Sequence, residues 1–413
     1  MLKTNGARVV DRLEKIYSCG ERADGAHSRL AFSPEDIKAR ELFMGYFREL
    51  GIEPRVDAAG NIIARLRGDD DSLPAIMTGS HLDTVPDGGK YDGALGCIAG
   101  LEIVETLVCS GVRTRHPIEV IVFTDEEGAR FGSGMIGSSA FCAAPLDGFK
   151  PTDTDMDGIS RKEALSAFGM NLNKIGGAAR AEGTVRCFLE LHVEQGGFLF
   201  RKGIPIGIVT AIAGVKRSEV VIRGVKNHAG STMMSDRRDA LVAASRFISS
   251  VPEITVAHGG AYSVATVGYI AVQPNSVNVI PGVCTFSLEI RDQDMEVIER
   301  IEKNLESALE EIAGTSGVSH DIRPISSNNP ALMNASIGDA IAKAAEEAEL
   351  GYVFMPSGAF HDSLMLSRSF PTGMIFIPSV NGISHSSEEF STPEDIQKGC
   401  DVLLETAMIL DRT

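Results

Sequence analysis

A strand–helix–strand pattern is readable in three consecutive stretches of the sequence: PAIMTGSH (74–81), GALGCIAGLEIVETLVCS (93–110) and IEVIVFT (118–124). The first and third are short, nearly continuous apolar runs, whereas the middle stretch carries apolar residues at helical spacing. A fourth stretch, RCFLELHV (186–193), has the same strand-like character. Continuous apolar strands joined through helices are typical of a largely parallel sheet that helices cover on both faces.

Histidine and acidic residues stand where these predicted strands end. His81 closes the first strand, His192 lies near the end of RCFLELHV, and Asp125, Glu126 and Glu127 follow IEVIVFT. In parallel sheets ligands gather beyond the carboxyl ends of the strands. We therefore expect these side chains to converge at one edge of the sheet.

Between residues 214 and 328 the pattern changes to alternating strands and amphipathic helices. A helix is predicted over SDRRDALVAASRFISSV (235–251) with Ser235 as its N-cap, and another over MEVIERIEKNLESALEEIAG (295–314) that ends at Gly314. The predicted strands are RSEVVIRG (217–224), AYSVATVGYIAV (261–272), GVCTFSLEIRD (282–292) and SHDIRPIS (319–326). The resulting order, βαββαβ, is that of the split ferredoxin-like unit.

The sequence therefore predicts an α/β protein with a discontinuous first domain. Residues 1–213 and 329–413 form this domain, a mixed, largely parallel sheet covered by helices, and residues 214–328 form a smaller inserted domain. An insert of about 115 residues is a typical domain size. The first domain resumes with MIFIPSV (374–380) and ends on a helix near the C-terminus.

Bulk composition narrows the possible partners and the compartment. A chain of 413 residues is long enough for two domains, and its net charge of −17 argues against nucleic acid or an anionic membrane as partner. No apolar run reaches the roughly 18 residues of a membrane span, and the start of the chain lacks the apolar core of a secretory signal. The seven cysteines are scattered and never form a CxxC motif, so we expect neither a disulfide framework nor a structural zinc site. We expect a cytoplasmic protein.

The residues at the strand ends have the chemistry of a metal site. In the His81-x-Asp83 pair, the carboxylate is placed to accept from the second nitrogen of the imidazole, which would fix the ring for metal binding. Glu126 and Glu127 follow each other at a turn, where one can bind a cation while the other acts as a base. Histidine and carboxylate ligands without thiolates suit zinc, manganese, cobalt or nickel, and a carboxylate can bridge two ions.

Each of these residues also has a simpler explanation when it is taken alone. Asp92, before Gly93 and a predicted helix, could be an N-cap. His81, His192 and His385 could be buried histidines bonded to the backbone. It is their common position at strand ends that favours a shared site.

Competing catalytic motifs do not fit. GSGMIG (132–137) matches GxGxxG, but DEEGARF separates it from the preceding strand, so it lacks the strand–turn–helix of a phosphate site. No GxSxG elbow of a serine hydrolase occurs. In SGAFHDS (357–363), Ser357, His361 and Asp362 lie too close in sequence for the geometry of a catalytic triad.

Seven stretches together resemble the M20-type amidohydrolases of the hydantoinase/carbamoylase group. These stretches are GSHLDTVPDGGKYDGALG, TDEEGARFG, ELHVEQG, NHAGSTMMSDRRDAL, QPNSVNVIPG, SGAFHDS and ISHSSEE. The group includes N-carbamoyl-L-amino acid hydrolases, β-ureidopropionases and allantoate amidohydrolases. The resemblance extends over nearly the whole chain, with the motifs in the same order.

The resemblance implies a site for two divalent metal ions, zinc or manganese, with cobalt or nickel also suitable. Asp92 would bridge the two ions. His81 and His192 would complete the ligands of one ion, and Glu127 and His385 those of the other. The resemblance also assigns a role to Glu126, which would be the general base.

The resemblance further implies that the inserted domain is a lid that also forms a homodimer. His228 in NHAGST would stabilise the oxyanion of the tetrahedral intermediate, from its own or the partner subunit. Asn278 and Arg291 would hold the substrate carboxylate, for which a planar bidentate donor is apt. Without the resemblance, Arg291 would be read as part of a surface ion pair.

Three further residues are expected to contact the substrate: Gln195, Gly358 and Ala359. The loop that holds the last two departs from the group, because Phe360 stands where the group has a second glycine in SGAGHD. An aromatic side chain there would fill space and restrict the backbone. His361 and Asp362 are then expected to support the loop.

The implied reaction is hydrolysis of the carbamoyl C–N bond of an N-carbamoyl amino acid, with release of the amino acid, ammonia and carbon dioxide. Allantoate amidohydrolase and β-ureidopropionase activities are alternatives within the group. A dipeptidase or an acyl-amino-acid deacylase would use the same metals, and a non-catalytic binding protein could retain the same fold.

Overall fold

The structure, a computed structural model, describes residues 2–22, 26–146 and 148–413. Its strands are β1 (Arg55–Val56), β2 (Ile62–Leu66), β3 (Ala75–His81), β4 (Ile118–Phe123), β5 (Val185–Val193), β6 (Ile206–Ile212), β7 (Gly214–Arg223), β8 (Asn227–His228), β9 (Val264–Thr266), β10 (Ile270–Gln273), β11 (Val279–Ile280), β12 (Val283–Asp292), β13 (Ser319–Asn328), β14 (Ala331–Leu332), β15 (Tyr352–Ser357) and β16 (Thr372–Ile377). Its α-helices are α1 (Gly6–Ser18), α2 (Pro34–Glu49), α3 (Ala94–Ser110), α4 (Ile136–Phe141), α5 (Arg161–Ala167), α6 (Phe198–Lys202), α7 (Ala240–His258), α8 (Met295–Ser316), α9 (Ala335–Glu347), α10 (Ser363–Leu366) and α11 (Pro393–Arg412).

The chain divides into two compact units. The first comprises Met1–Thr210 and Leu332–Thr413, and the second comprises Ala211–Ala331. Each unit has a sheet and a hydrophobic core of its own.

The first unit is built on a mixed sheet. Among the described residues this sheet has nine strands in the order β1-β2-β4-β3-β5-β16-β6-β14, with β15 also paired to β6. The four central strands, β4, β3, β5 and β16, are mutually parallel, whereas β2 and β6 pair with them in the antiparallel sense. The predicted mixed α/β fold is confirmed, and its parallel strands lie at the centre of the sheet.

Helices cover both faces of this sheet because its strands are apolar on both sides. Ile76 on β3 belongs to the larger core, which includes buried residues of α1, α3, α9 and α11. Its neighbours Ala75 and Met77 point to the opposite face and pack with residues of α4 and α10. Every residue of β3, β4 and β16 is buried, and β5 is buried except for the half-buried Arg186.

The second unit is an antiparallel sheet in the order β10-β12-β7-β13, with β9 also paired to β12. Helices α7 and α8 pack against it, and every second residue of β12 from Cys284 to Ile290 is buried in this core. The two short strands β8 and β11 form a separate ribbon.

Three predicted element boundaries in the second unit are wrong. Ser235 is not an N-cap, because α7 begins at Ala240 and the Asp239 carboxylate accepts from the backbone N–H groups of the first turn. Helix α8 continues past Gly314 to Gly317, which takes the left-handed conformation that ends it. The predicted single strand over residues 261–272 is divided into β9 and β10.

One helix of the described residues, α7, is long and apolar enough to cross a membrane. It carries Arg246, Glu253 and an internal Pro252. Its apolar face, which includes Phe247 and Val251, is buried in the core of the second unit. The length and composition of α7 are thus also those of a core helix.

Candidate metal centre

The carboxyl ends of the four central strands bring the predicted ligands together. His81 is the last residue of β3, His192 is the penultimate residue of β5, and Glu127 follows β4. His385 lies in the loop after β16, and Asp92 lies between β3 and α3. Because these strands are adjacent and parallel, the residues that follow them meet at one edge of the sheet.

Three of these residues form a fully buried group. The Nε2 atom of His81 lies 3.6 Å from Oδ1 of Asp92, and Nε2 of His192 lies 3.3 Å from the same oxygen. All three side chains are at most 6% exposed, and their ligand atoms lie within 4.8 Å of one another. This spacing fits a single metal ion.

A second group forms on the other oxygen of Asp92. Its Oδ2 atom lies 3.3 Å from Nε2 of His385, which is 3.8 Å from Oε2 of Glu127. The ligand atoms of this group also lie within 4.8 Å of one another. Asp92 thus presents one oxygen to each group, as a bridging carboxylate does. It does not cap α3, whose N-cap is Gly93.

Backbone carbonyls orient the two buried imidazoles. The Nδ1 atom of His81 lies 3.0 Å from the carbonyl oxygen of Asp83, and Nδ1 of His192 lies 2.9 Å from that of Val193. A carbonyl only accepts, so each Nδ1 carries the proton. The Nε2 lone pairs therefore face the site, as metal ligation requires.

Asp83 acts differently from the prediction. Its carboxylate Oδ1 is 3.8 Å from Nδ1 of His81, and it is the carbonyl oxygen of Asp83 that accepts the hydrogen bond from Nδ1. The carboxylate accepts from the backbone N–H groups of Glu126 at 3.3 Å and Glu127 at 3.2 Å. Asp83 therefore fixes the turn that carries the two glutamates.

This turn separates the directions of Glu126 and Glu127. It starts at Asp125, whose positive φ of 56° breaks the strand. Oε2 of Glu126 lies 3.7 Å from Nε2 of His81, whereas Oε2 of Glu127 lies 3.8 Å from His385. The two acids thus lie near different histidines, and a ligand atom of each also lies within 4.8 Å of a ring nitrogen of His81, which makes His81, Glu126 and Glu127 a further candidate group.

The pKa shifts of the buried acids indicate that the site is suited to cations. Burial raises the pKa of Glu126 well above its ordinary value, and the charge of Glu127 adds to the shift. Burial likewise raises the pKa of Glu127, with a further contribution from Asp92. A divalent cation offsets this cost of burying several carboxylates together.

Asp92 and His192 shift each other's pKa in opposite directions. Burial would raise the pKa of Asp92, but hydrogen bonds from His192 and His385 bring it well below its ordinary value. Burial alone would lower the pKa of His192, but Asp92 outweighs it and raises the pKa to about 9. A metal ion binds the carboxylate form of Asp92 and the neutral form of His192, so metal binding would release a proton from a protonated His192.

Gln195 lies against the second group. Its Nε2 donates to Oδ2 of Asp92 at 2.7 Å and lies 3.3 Å from Nε2 of His385. Its backbone has a positive φ of 56°, and its N–H donates to Oγ of Ser379 at 3.0 Å. Oε1 of Gln195 is buried without a hydrogen-bond partner among the described residues.

The loop of Gly358 and Ala359 lies next to His192. The Ser357 hydroxyl accepts from the N–H of Ala359 at 3.2 Å and lies 2.9 Å from Nε2 of His361. The rings of His361 and His192 meet edge to face, with their centroids 4.4 Å apart. His361 thus connects this loop to a candidate ligand.

The three predicted residues of the second unit lie in two places. His228 and Asn278 are both exposed, on and beside the β8–β11 ribbon, and the N–H of Ala229 donates to the carbonyl of Asn278 at 3.0 Å. Arg291 lies on β12, where its Nε donates to Oε1 of Glu289 at 2.7 Å.

Two buried glutamates were not identified from the sequence. Glu190 precedes His192 by two residues and accepts from Ser80 and Ser363, and its carboxylate forms a further candidate ligand group with His192 and His361. Its position on the same face of β5 as His192 was a usable signal. Glu389 accepts from the backbone N–H of Asp92 at 3.1 Å. Nothing in its local sequence indicates that contact.

The chain belongs to peptidase family M20/M25/M40, whose sequence pattern matches residues 77–409. It is 41% identical to the N-carbamoyl-L-amino acid amidohydrolase of Geobacillus stearothermophilus over 97% of each chain. It is 34% identical to the allantoate amidohydrolase of Escherichia coli, over 96% of this chain and 95% of that one. The crystal structure of an amidase of the hydantoinase/carbamoylase family from Burkholderia multivorans has a TM-score of 0.91 and 34% identity, and covers 100% of this chain and 99% of that chain.

These comparisons confirm the resemblance found in the sequence. The protein is an amidohydrolase, a hydrolase that acts on C–N amide bonds.

Proposed function

We propose that the protein hydrolyses the carbamoyl C–N bond of an N-carbamoyl amino acid in a site for two divalent metal ions. The observation that carries this proposal is the position of Asp92, whose two oxygens each face a separate group of candidate ligands. The identity to an N-carbamoyl-L-amino acid amidohydrolase over nearly the whole chain supports the choice of substrate class.

In this proposal His81 and His192 would hold one ion, Glu127 and His385 would hold the other, and Asp92 would be a ligand of both. Nitrogen and carboxylate ligands without thiolates suit zinc or manganese, and also cobalt or nickel. When bound, such a pair of ions polarises a carbonyl and activates water.

Glu126 is the proposed general base. It lies beside His81 and Glu127, with ligand atoms of the three within 4.8 Å of one another, and this proposal leaves Glu126 outside both ligand sets so that its carboxylate can exchange a proton. It takes a proton from the attacking water and delivers it to the leaving nitrogen of the amino acid. The carbamic acid released then decomposes to ammonia and carbon dioxide.

His228 is the proposed oxyanion donor. Its Nδ1 accepts from the backbone N–H groups of Gly230 at 3.0 Å and Ser231 at 3.1 Å. An imidazole that accepts at Nδ1 carries its proton at Nε2, which can then donate to a developing negative charge. The surrounding loop thus fixes His228 in the form that the reaction needs.

The proposed substrate contacts are Gln195, Asn278, Arg291, Gly358 and Ala359. Arg291 and Asn278 bind the substrate carboxylate, and the other three contact the rest of the molecule. Glu289 supports the role of Arg291, because it accepts from Nε of both Arg291 and Arg217 and so fixes two guanidinium groups on one face of the sheet.

We further propose that the second unit is a ferredoxin-like lid that also forms a homodimer. The element order and the sheet order β10-β12-β7-β13 support the ferredoxin-like assignment. Large apolar side chains are exposed near His228 and along α7, among them Met233, Met234, Val277 and Val256. Exposed apolar residues of this kind support a protein–protein contact. The seven unpaired cysteines support a cytoplasmic location.

A substrate panel tests the proposed reaction. Enzyme reconstituted with Zn²⁺ or Mn²⁺ is assayed for ammonia release from several N-carbamoyl-L-amino acids, N-carbamoyl-β-alanine and allantoate, and for amine release from dipeptides. We expect the highest kcat/KM on an N-carbamoyl-L-amino acid. Preference for allantoate, which the Escherichia coli relative makes the second candidate, would reassign the substrate. Turnover of dipeptides alone would contradict the proposal.

A further inference from the structure

Glu389 is a buried carboxylate that lies beside the candidate metal centre. Only 4% of Glu389 is exposed. Oε2 accepts from the backbone N–H groups of Tyr91 at 2.8 Å and Asp92 at 3.1 Å. Oε1 accepts from the hydroxyl of Ser384 at 2.9 Å.

These bonds connect two loops that are distant in sequence. One loop follows β3 and carries Asp92, and the other follows β16 and carries His385. Each loop contributes a candidate ligand to the group that also contains Glu127. The 3.3 Å separation between Asp92 and His385 therefore depends on how these two loops are held together.

Both loops have features that require such a connection. His385 has a positive φ of 52°, a conformation that costs free energy in a residue other than glycine unless its surroundings hold it. Gly89 leaves the room that Glu389 occupies, because a Cβ at Gly89 would overlap the Glu389 carboxylate. The Glu389 side chain therefore occupies the space between the two loops where they approach each other.

The partners of Glu389 favour an acceptor at both of its oxygens. The two backbone N–H groups can only donate, and the Ser384 hydroxyl donates to Oε1 in the structure. A glutamine keeps the two backbone contacts at its oxygen, but its NH₂ group then faces Ser384, whose hydroxyl must turn to accept. Ser384 extends the connection, since its hydroxyl also lies 3.4 Å from Oδ2 of Asp92.

We infer that Glu389 is a positioning residue that sets the separation of Asp92 and His385, and so determines the affinity of the metal ion held by Asp92, Glu127 and His385. This inference rests on the proposed dinuclear site. It assigns Glu389 no contact with the ion or the substrate. Its effect should be larger on this ion than on the other, because the other ion shares Asp92 but keeps His81 and His192, which are oriented by other groups.

The test compares Glu389→Gln with Glu388→Gln, a matched change at the neighbouring exposed residue. Mn²⁺ binding to each full-length protein is measured by titration, with electron paramagnetic resonance to distinguish single from paired ions. We expect wild type and Glu388→Gln to bind two ions. In Glu389→Gln the ion held by Asp92, Glu127 and His385 should bind about 10- to 100-fold more weakly, as is usual when a group that orients a ligand is changed, and the ion held with His81 and His192 should be weakened less.

Activity provides a second measurement. The kcat of Glu389→Gln should recover as Mn²⁺ is raised, with KM for the substrate unchanged at saturating metal. If Glu389→Gln does not fold, Ser384→Ala, which removes one donor only, should weaken the second ion about threefold to tenfold. Two ions bound with wild-type affinity in whichever of these variants folds would overturn the inference. If the wild-type protein binds no ion, the proposed function is wrong, and with it the dinuclear site on which this inference rests.

Discussion

The two units differ in how far they bury their predicted functional residues, although His385 of the first unit is half exposed. In the first unit His81, Asp92 and His192 are buried, and each has at least one further contact that fixes its direction. In the second unit His228 and Asn278 are exposed on a two-stranded ribbon. Burying a cluster of ionisable groups costs free energy that a bound cation can offset, whereas an exposed histidine costs little. In the first unit, the burial of these ionisable side chains supports a bound cation. In the second unit, the hydrogen bonds to Nδ1 of His228 support its proposed role.

The largest effect on turnover is expected for Glu126→Gln in the first unit. The amide keeps the shape of the side chain but cannot accept a proton from water, so kcat should fall by about 10²- to 10⁴-fold. Metal content measured by elemental analysis should remain at two ions per chain, because Glu126 is not in the proposed ligand sets. Glu388→Gln serves as the exposed control with normal turnover. A near-normal rate for Glu126→Gln would remove it from this role.

A smaller loss is expected for His228→Ala in the second unit. Removal of one oxyanion donor typically lowers kcat by about 10²- to 10³-fold. Both metal ions should stay bound, so this variant separates chemistry in the second unit from metal binding in the first. His320→Ala, a change at another histidine of the second unit, should leave kcat unchanged. If His228→Ala lost metal or kept full activity, the proposed division of roles between the units would be wrong.

The smallest effect is expected for Arg291→Lys, which should alter binding and not chemistry. Lysine cannot replace the planar two-donor contact of arginine with a carboxylate, so KM for an N-carbamoyl amino acid should rise about 10- to 100-fold with little change in kcat. Arg323→Lys, on β13 of the same sheet, is the matched control. An N-carbamoyl amine without a carboxylate should be hydrolysed equally poorly by wild type and Arg291→Lys. An equal rise in KM on both substrates would contradict carboxylate binding.

The sequence was most informative where one physical signal dominates. The runs that became β3, β4 and β5 are apolar without alternation, and their boundaries in the structure lie within one or two residues of the predicted ones. The convergence of the candidate ligands could be predicted because parallel strands place their carboxyl ends at one edge, whereas the family resemblance supplied the roles proposed for each of them. Apolar strands and the residues at their ends are local features of the sequence. The parallel order of the strands in the sheet is what brings those residues together.

Predictions from the sequence failed where several local signals compete for one position, or where contacts between distant residues determine the structure. Ser235 and Asp239 are both acceptable N-caps, and the start of the apolar face of α7 selects Asp239. Whether Asp83 contributes its carboxylate or its carbonyl to His81 depends on backbone torsions that the sequence does not reveal. Glu389 reaches a residue 297 positions away, so only the folded chain shows its role.

Anomalous diffraction from crystals grown with Mn²⁺ would show whether two ions share Asp92. Two anomalous peaks about 3.5–4 Å apart are expected. One should lie among His81, Asp92 and His192, and the other among Asp92, Glu127 and His385. A single peak that stays single at saturating metal, or peaks away from these residues, would contradict the proposed site for two ions.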